Sequence, residues 1–278
     1  MSKLKTPLRY AGGKTRAILK MSKYFPNLDN CEYFYEPFLG GGSVSIFISQ
    51  NYPNLKIKVS DLYKPLINFW KVLQCNGKEL SSKILDLKQK NSTPDKAKVI
   101  FNDAKLVIND ANQNDFERAI AFYVVNKCSF SGLTEASSFS SQASDHNFTE
   151  RSIGFLSEYS NIISNWEISC TSYEDVLKNC FNNSFIYLDP PYDIKDNLYG
   201  KNGEMHKHFD HDKFSENCNL SELNMMISYN SNQLVKNRFS LDKWKAYEYT
   251  HTYTMRSVGD YMRNQQERKE LLLLNYDV

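Results

Sequence analysis

One carboxylate, two prolines and one phenol stand together at Asp189-Pro190-Pro191-Tyr192. The apolar run before them, Phe185-Ile186-Tyr187-Leu188, reads as a buried parallel strand, since a strand covered on both faces shows no polar alternation. Two prolines lack the N–H that would continue a ladder and hold φ near about −65°. The strand therefore ends in a stiff corner that presents one carboxylate, carbonyls that no ladder uses, and one aromatic face. In open α/β sheets, ligands bind just beyond the carboxyl ends of the strands. A flat base with an exocyclic NH2 suits such a corner: the Asp189 carboxylate and the Pro190 carbonyl accept its two hydrogens, and its ring stacks on Tyr192. Asp-Pro-Pro is also a common turn tripeptide, so the corner taken alone reads equally as a strand-ending turn.

Other stretches sit at spacings that bear on it. Near the N-terminus, Tyr10-Ala11-Gly12-Gly13-Lys14 precedes a short helical pattern, Ala17 to Tyr24. Two glycines before a helix expose backbone N–H groups to an anion, and Lys14 adds a charge; the GxxxxGK[ST] spacing of a P-loop is missing. Next, Tyr33-Phe34-Tyr35 reads as an aromatic strand, Glu36-Pro37-Phe38-Leu39-Gly40-Gly41-Gly42-Ser43 as a glycine-rich turn, and Val44 to Gln50 as a helix. Strand, glycine turn and helix in that order make the first nucleotide-binding loop of a Rossmann-like sheet, although the spacing is not GxGxxG and implies no pyrophosphate. A second strand, Leu55 to Ser60, ends at Asp61. An acid about 20 residues beyond the glycine turn is where such folds hold a ribose by its hydroxyls; a helix N-cap is the plainer role.

These elements lie in a chain of 278 residues, long enough for one large domain or one domain with an insertion. With 41% hydrophobic and 14% aromatic residues, it can bury a sizeable core. The formal charge is only +2, so any phosphate-binding face must be local. Six cysteines, at 31, 75, 128, 170, 180 and 218, form no CxxC pair and no Cys/His cluster of zinc spacing, so most read as ordinary buried thiols, which suggests a reducing compartment. No secretory h-region and no apolar stretch of about 18 residues is present, so the expectation is an intracellular protein without a membrane partner.

From Asn76 to about Phe122 the texture changes to Lys, Asn and Asp with apolar residues three or four apart, the pattern of a small helical insertion. After Asn126-Lys127-Cys128-Ser129-Phe130-Ser131-Gly132-Leu133 comes a polar stretch, Glu135 to Thr149, readable as a loose loop or as an ordered hairpin. Leu156 to Ile163 reads as a helix, Glu167 to Cys170 as a short strand, and Ser172-Tyr173 as the start of another helix. Residues 193 to 213 form a long polar loop holding His206, His208 and His211, a set without the fourth ligand that zinc requires. Met225 to Tyr229, Trp244 to Tyr253 and Leu271 to Tyr276 read as strands. The last two flank a loop carrying Arg256, Arg263, Arg268 and Lys269, suited to lying along phosphates.

In this order the stretches resemble the Dam-type DNA adenine-N6 methyltransferases (class alpha, D12 class), over most of the chain. Tyr10-Ala-Gly-Gly-Lys14 resembles the family's N-terminal cofactor motif and Glu36-Pro-Phe-x-Gly-Gly-Gly42 its glycine loop. Ser60-Asp61 resembles its ribose-binding acid, Ser172-Tyr173 its adenine-side wall, and Asp189-Pro-Pro-Tyr192 its catalytic tetrapeptide. Asn126 to Leu133 looks like the start of its DNA-reading hairpin. The chain departs from the family pattern at Thr134-Glu135, where an Arg is usual, and at Asn147-Phe148-Thr149, where Asn-x-Pro-Phe-Gly is usual, so the target sequence is not carried over.

The resemblance implies an α/β fold: a Rossmann-like methyltransferase sheet, formed by residues 1–75 and 151–278, with a helical and hairpin target-recognition insertion at 76–150. It implies S-adenosyl-L-methionine as cofactor and no metal. Tyr10, Lys14 and Asp189 would surround the cofactor's methionine end, with Glu36 and Phe38 in the same set. Asp61 would take its ribose and Tyr173 would flank its adenine. Asp189, Pro190 and Tyr192 would act on an adenine flipped from double-stranded DNA. A monomer, and a restriction endonuclease sharing the target site, complete the implied partners. RNA adenine or cytosine-N4 methylation and a catalytically inactive DNA-binding module are the alternatives; Asp rather than Ser before Pro190 argues against cytosine.

Overall fold

The computed structural model describes residues 3–132, 135, 137–192, 209–239, 242–251 and 268–278. Its centre is a sheet of seven strands: β1 (Tyr33–Glu36), β2 (Lys56–Ser60), β3 (Glu167–Ser169), β4 (Ser184–Leu188), β5 (Asn224–Asn230), β6 (Lys245–His251) and β7 (Arg268–Leu274). Their order is β3-β2-β1-β4-β5-β7-β6. The first five strands pair parallel, and β7 runs antiparallel between β5 and β6. The chain steps outward from β1 to β3 and then returns to β4 on the other side of β1. Strand order thus reverses between β1 and β4, and a crevice opens at their carboxyl ends.

Central strands divide their side chains by strict alternation. Phe34, Phe185, Tyr187, Met226, Leu272 and Leu274 enter one apolar cluster, whereas Tyr35, Ile186, Leu188, Met225, Ile227, Leu271 and Leu273 enter a second. A pleat sends neighbours to opposite faces, and with both faces covered, polar alternation disappears from the sequence. The first face carries the helices Ser43–Asn51 and Lys64–Lys90, with Asp115–Cys128 packed on Lys64–Lys90; the second is covered by Tyr173–Asn179, His211–Leu220 and Gln233–Arg238.

The stretch beyond β2 is helical, as its apolar spacing indicates. Lys64–Lys90 starts with Pro65 in its first turn and kinks at Asn76 (φ −126°, ψ 26°), next to residue 75, where the sequence reading places the edge of an insertion. Pro94–Val107 and Asp115–Cys128 follow, N-capped by Thr93 and Asn114, whose side-chain oxygens accept from Lys96 N and Glu117 N.

Three expectations need correction. The stretch 135–149 is neither a loose loop nor an extended hairpin: one antiparallel bridge, Ser129↔Phe139, closes its base, and the helix Ser141–Asn147 follows. Ser140 caps that helix by accepting from Ala143 N, the kind of local side-chain bond that favours a helix start over a strand. The polar loop read for residues 193 to 213 does not extend to 213, because Asp210 caps a helix beginning at His211. Finally, β7 is shifted toward Arg268: residues 268–270 pair with 249–251, and Asn275 turns back to hold Met225 N and Leu223 O, each at 2.7 Å. Residues 193–208, with His206 and His208, and 252–267, with Arg256 and Arg263, lie outside the described residues.

Trp70 links this frame to the crevice. It is fully buried, and its Nε1 donates to the Gly40 carbonyl at 3.2 Å. Trp70→Phe keeps most of the ring and leaves that carbonyl without its donor. The expected loss is about 1–3 kcal/mol, measured as a lower urea midpoint at unchanged slope.

Candidate functional site

The turn after β1 is built from backbone. Leu39 N donates to Ser60 O at 2.9 Å, which fastens the turn to the end of β2. Gly40 holds φ +46°, and a Cβ there would lie 2.8 Å from Cε1 of Tyr10. Gly42 holds φ +65° as the N-cap of Ser43–Asn51, and its Cβ would meet Trp70 at 2.9 Å. Only glycine fits both the left-handed backbone and these approaches. Tyr10 therefore lies directly on the glycine turn. Its segment is tied to the helical region through Asn126, whose side chain accepts from Arg9 N at 2.9 Å and donates to Arg9 O at 2.6 Å.

Asp61 closes the turn from the other side. Its two oxygens accept from Gly40 N and Tyr63 N, each at 3.0 Å, and the side chain is buried. The N-cap role does not hold, because Tyr63 occupies that position before Lys64. Burial raises the Asp61 carboxyl above its ordinary range, against backbone N–H bonds from Tyr63, Gly40 and Leu62. Glu36, at the end of β1, is 3% exposed and accepts from Ser45 N at 3.0 Å and from the Ser45 hydroxyl. Burial pushes its carboxyl up to about 8; the Ser45 bonds oppose this and the neighbouring Asp189 adds to it.

At the corner after β4, Lys14 Nζ stands 2.7 and 2.6 Å from the two Asp189 oxygens and 2.8 Å from the Gly12 carbonyl. Lys14 thus does not wait beside the Gly-Gly turn for an anion; its charge goes to Asp189. Burial lifts the Asp189 carboxyl to about 6, with Lys14 pulling down and Glu270 pushing up. Lys14 Nζ also lies over the Tyr192 ring, 5.1 Å from its centroid. That ring is stacked on Tyr229 (5.9 Å, 25°), and its hydroxyl donates to Glu270 Oε2 at 2.5 Å.

Together these groups line a cleft of about 590 Å³, counting space open to solvent. Tyr10, Lys14, Glu36, Phe38, Asp61 and Asp189 all reach it, as does Pro191. Pro190 is buried behind the corner, Tyr192 stands beside it, and Tyr173 is held back by one layer, stacked on Phe38 (5.5 Å, 24°). Three carboxyl groups and one ammonium around a backbone turn suit a ligand that is cationic, carries hydroxyls, and has a flat ring for the Phe38–Tyr173 wall. A carboxylate offers about four acceptor positions, so Asp61 retains capacity for hydroxyls beyond its backbone partners. Sequence reasoning missed Ser45, Trp70, Tyr229 and Glu270. Glu270 had a visible signal, a single acid abutting the apolar run Leu271 to Leu274. Among the described residues, no group of three or more His, Cys, Asp or Glu side chains could hold a metal ion, and no helix is long and apolar enough to cross a membrane.

A family model described as D12 class N6 adenine-specific DNA methyltransferase matches residues 10–255. Type II methyltransferase M.MjaIII of Methanocaldococcus jannaschii is 27% identical over 200 residues, covering 66% of this chain and 68% of that protein. A DNA adenine methylase of Haemophilus influenzae is 28% identical over 193 residues, covering 66% of this chain and 63% of its own length. Type II methyltransferase M.CviBI of Paramecium bursaria Chlorella virus NC1A is 24% identical over 204 residues, with 71% and 72% covered. The chain matches about two thirds of the length of these relatives.

The Asp61 bonds give a direct test of the turn. Asp61→Asn must point its NH2 at the N–H of Gly40 or Tyr63, leaving a donor facing a donor. A loss of about 1–3 kcal/mol is expected at pH 7, measured by chemical denaturation.

Proposed function

The chain belongs to the D12 class N6 adenine-specific DNA methyltransferases, and on that premise we propose that it moves the methyl group of S-adenosyl-L-methionine to N6 of an adenine flipped out of double-stranded DNA at a specific site. The observation that carries this reading is the Asp189 corner: a half-buried carboxylate and an aromatic face, side by side, opening on a glycine-lined cleft. S-adenosylmethionine, when bound, supplies a methyl group already activated on a sulfonium. The Tyr10–Lys14 segment and the turn at Gly40 would hold its amino-acid end, with Glu36 below. Asp61 would take its ribose hydroxyls, and Phe38, backed by Tyr173, would flank its adenine.

Extruding the target adenine costs a few kcal/mol in lost stacking and pairing, which Tyr192 offsets by offering its ring to the base. Asp189 and the Pro190 carbonyl accept the two N6 hydrogens, which makes the N6 lone pair more available and aims it into the cleft. As N6 gains its methyl it must shed a proton, and Asp189 is the group placed to take it. Lys14 occupies one position on each Asp189 oxygen; a carboxylate offers about four, so Asp189 retains acceptor capacity for an N6 hydrogen while paired with Lys14. Positioning supplies the larger share of the rate. The reading carries base recognition within 76–150, a monomeric intracellular enzyme, and a cognate restriction endonuclease, the last supported by the type II names of two relatives.

Long-read modification sequencing of DNA from cells expressing the chain tests this directly. A discrete motif carrying N6-methyladenine is expected, and Asp189→Ala should lower transfer by roughly 100- to 10,000-fold. An Asp189→Ala variant of near-normal activity would sink the assignment. No modified adenine, from a protein that binds S-adenosylmethionine, would redirect it to RNA.

The pH dependence follows from the Lys14–Asp189 pair. Only ionised Asp189 accepts a hydrogen bond at both oxygens, so kcat/KM for the cofactor should decline on the acid side near pH 6. Lys14 lowers the Asp189 pKa, so Lys14→Met should move that limb up by roughly 1–3 pH units, with activity recovered in alkaline buffer. A limb that stays in place would show that Asp189 is not the titrating group.

A further inference from the structure

Glu270 is a buried carboxyl group that the mechanism above does not use. It is 2% exposed, near the start of β7, between Asn230 of β5 and Tyr249 of β6 in the ladder. The four residues that follow it are leucines, so a neutral side chain would build the same strand without burying a charge. Its Oε2 accepts the Tyr192 hydroxyl at 2.5 Å. Tyr192 is otherwise a side chain at the end of a corner without secondary structure, only partly buried. Its ring is held by Glu270 at the hydroxyl and by Tyr229 stacked on it, with Lys14 Nζ also over the ring and Tyr229 in turn bonded to His211 Nδ1.

We propose that Glu270 is a positioning residue: through the Tyr192 hydroxyl it fixes the plane of the ring on which the flipped adenine stacks, and so sets the angle at which N6 enters the cleft. This rests on the reading of Tyr192 as the base platform given above. An adenine stacked on a ring takes its tilt from that ring, and a small tilt error at the ring becomes a displacement of N6 from the line of transfer. Misplacement of about 1 Å lowers rates by roughly 100-fold. The antiparallel β7 is what makes this hold available. It enters between β5 and β6 from the side where the parallel strands end, and so brings the first residues of a strand, rather than a loop, next to the Asp189 corner.

The test is a double-mutant cycle on the full-length protein, measured by single-turnover methyl transfer to a duplex carrying the target site. Tyr192→Phe keeps the ring and removes the hydroxyl; Glu270→Leu removes the acceptor. Each is expected to lower the transfer rate by roughly 10- to 100-fold, with the S-adenosylmethionine Kd within about twofold of the parent. The double variant should be no slower than the slower single, because both remove one bond. Glu270→Gln, which keeps an acceptor oxygen, should recover most of the rate. Losses that multiply in the double variant, or a Gln variant as slow as Leu, would overturn the proposal. If Glu270→Leu does not fold, Tyr192→Phe decides alone, and a rate equal to the parent overturns it. Tyr192→Ala separates this from the reading beneath it. An inactive Ala variant beside a fully active Phe variant keeps the ring as base platform and removes Glu270, whereas an active Ala variant removes the platform itself.

Discussion

The site depends on one ion pair. Lys14 and Asp189 are 175 residues apart in sequence, and their contact is what brings the N-terminal Gly-Gly segment across the carboxyl ends of β1 and β4. A buried pair of this kind is weak support for stability in itself, because desolvating both charges offsets most of their attraction. Its value here is positional. The same ammonium reaches the Gly12 carbonyl, both Asp189 oxygens and the Tyr192 ring, and so fixes where the segment, the corner and the aromatic face stand relative to one another. In a cleft where Glu36 and Asp189 are both raised by burial, one positive charge also keeps the carboxyl groups from being expelled from each other's company. A cationic ligand arriving there takes over part of that duty.

The glycine turn is held by a different principle, the satisfaction of backbone groups. Its N–H at Gly40 goes to Asp61, its carbonyl at Gly40 goes to Trp70, and its Leu39 N–H goes to the end of β2. The partners come from the end of β2, at Ser60 and Asp61, and from the helix Lys64–Lys90, so the turn cannot shift without breaking bonds to both. Tyr10 then lies on Gly40 so closely that no side chain could intervene. The cleft is preorganised by polar bonds within an apolar frame, the arrangement expected where a ligand must meet fixed donors and acceptors.

Most of the fold was legible because a sheet covered on both faces writes itself as short apolar runs, and Phe185 to Leu188 or Met225 to Tyr229 could hardly be anything else. The crevice was legible too, since glycines after Tyr33–Glu36 and prolines after Leu188 mark the ends of the two strands where order reverses. What the sequence hid were partners rather than elements. Nothing local at Lys14 says that its charge lies on Asp189, because long-range pairing leaves no periodic trace. Asp61 looked like a helix cap, yet Tyr63 holds that position and the Asp61 carboxylate turns to Gly40. The stretch 135–149 misled for a related reason: its serines and asparagines favour turns and helix caps alike, and Ser140 chose the cap.

The reversed strand explains why a parallel sheet alone would not suffice. In a purely parallel arrangement every strand presents its carboxyl end at the crevice, and the side chains offered there come from loops that must order themselves. β7 runs the other way, so its opening residues lie in a ladder between β5 and β6, fixed by hydrogen bonds on both sides. Glu270 is therefore positioned by the sheet, whereas Tyr192, which it meets, leaves the sheet at a double proline. The Tyr192 hydroxyl joins β7 to the corner, beside the stacking of its ring on Tyr229 of β5. A sheet with antiparallel β7 thus combines the parallel strands' open crevice with a hold on the ring that strand ends and prolines could not provide.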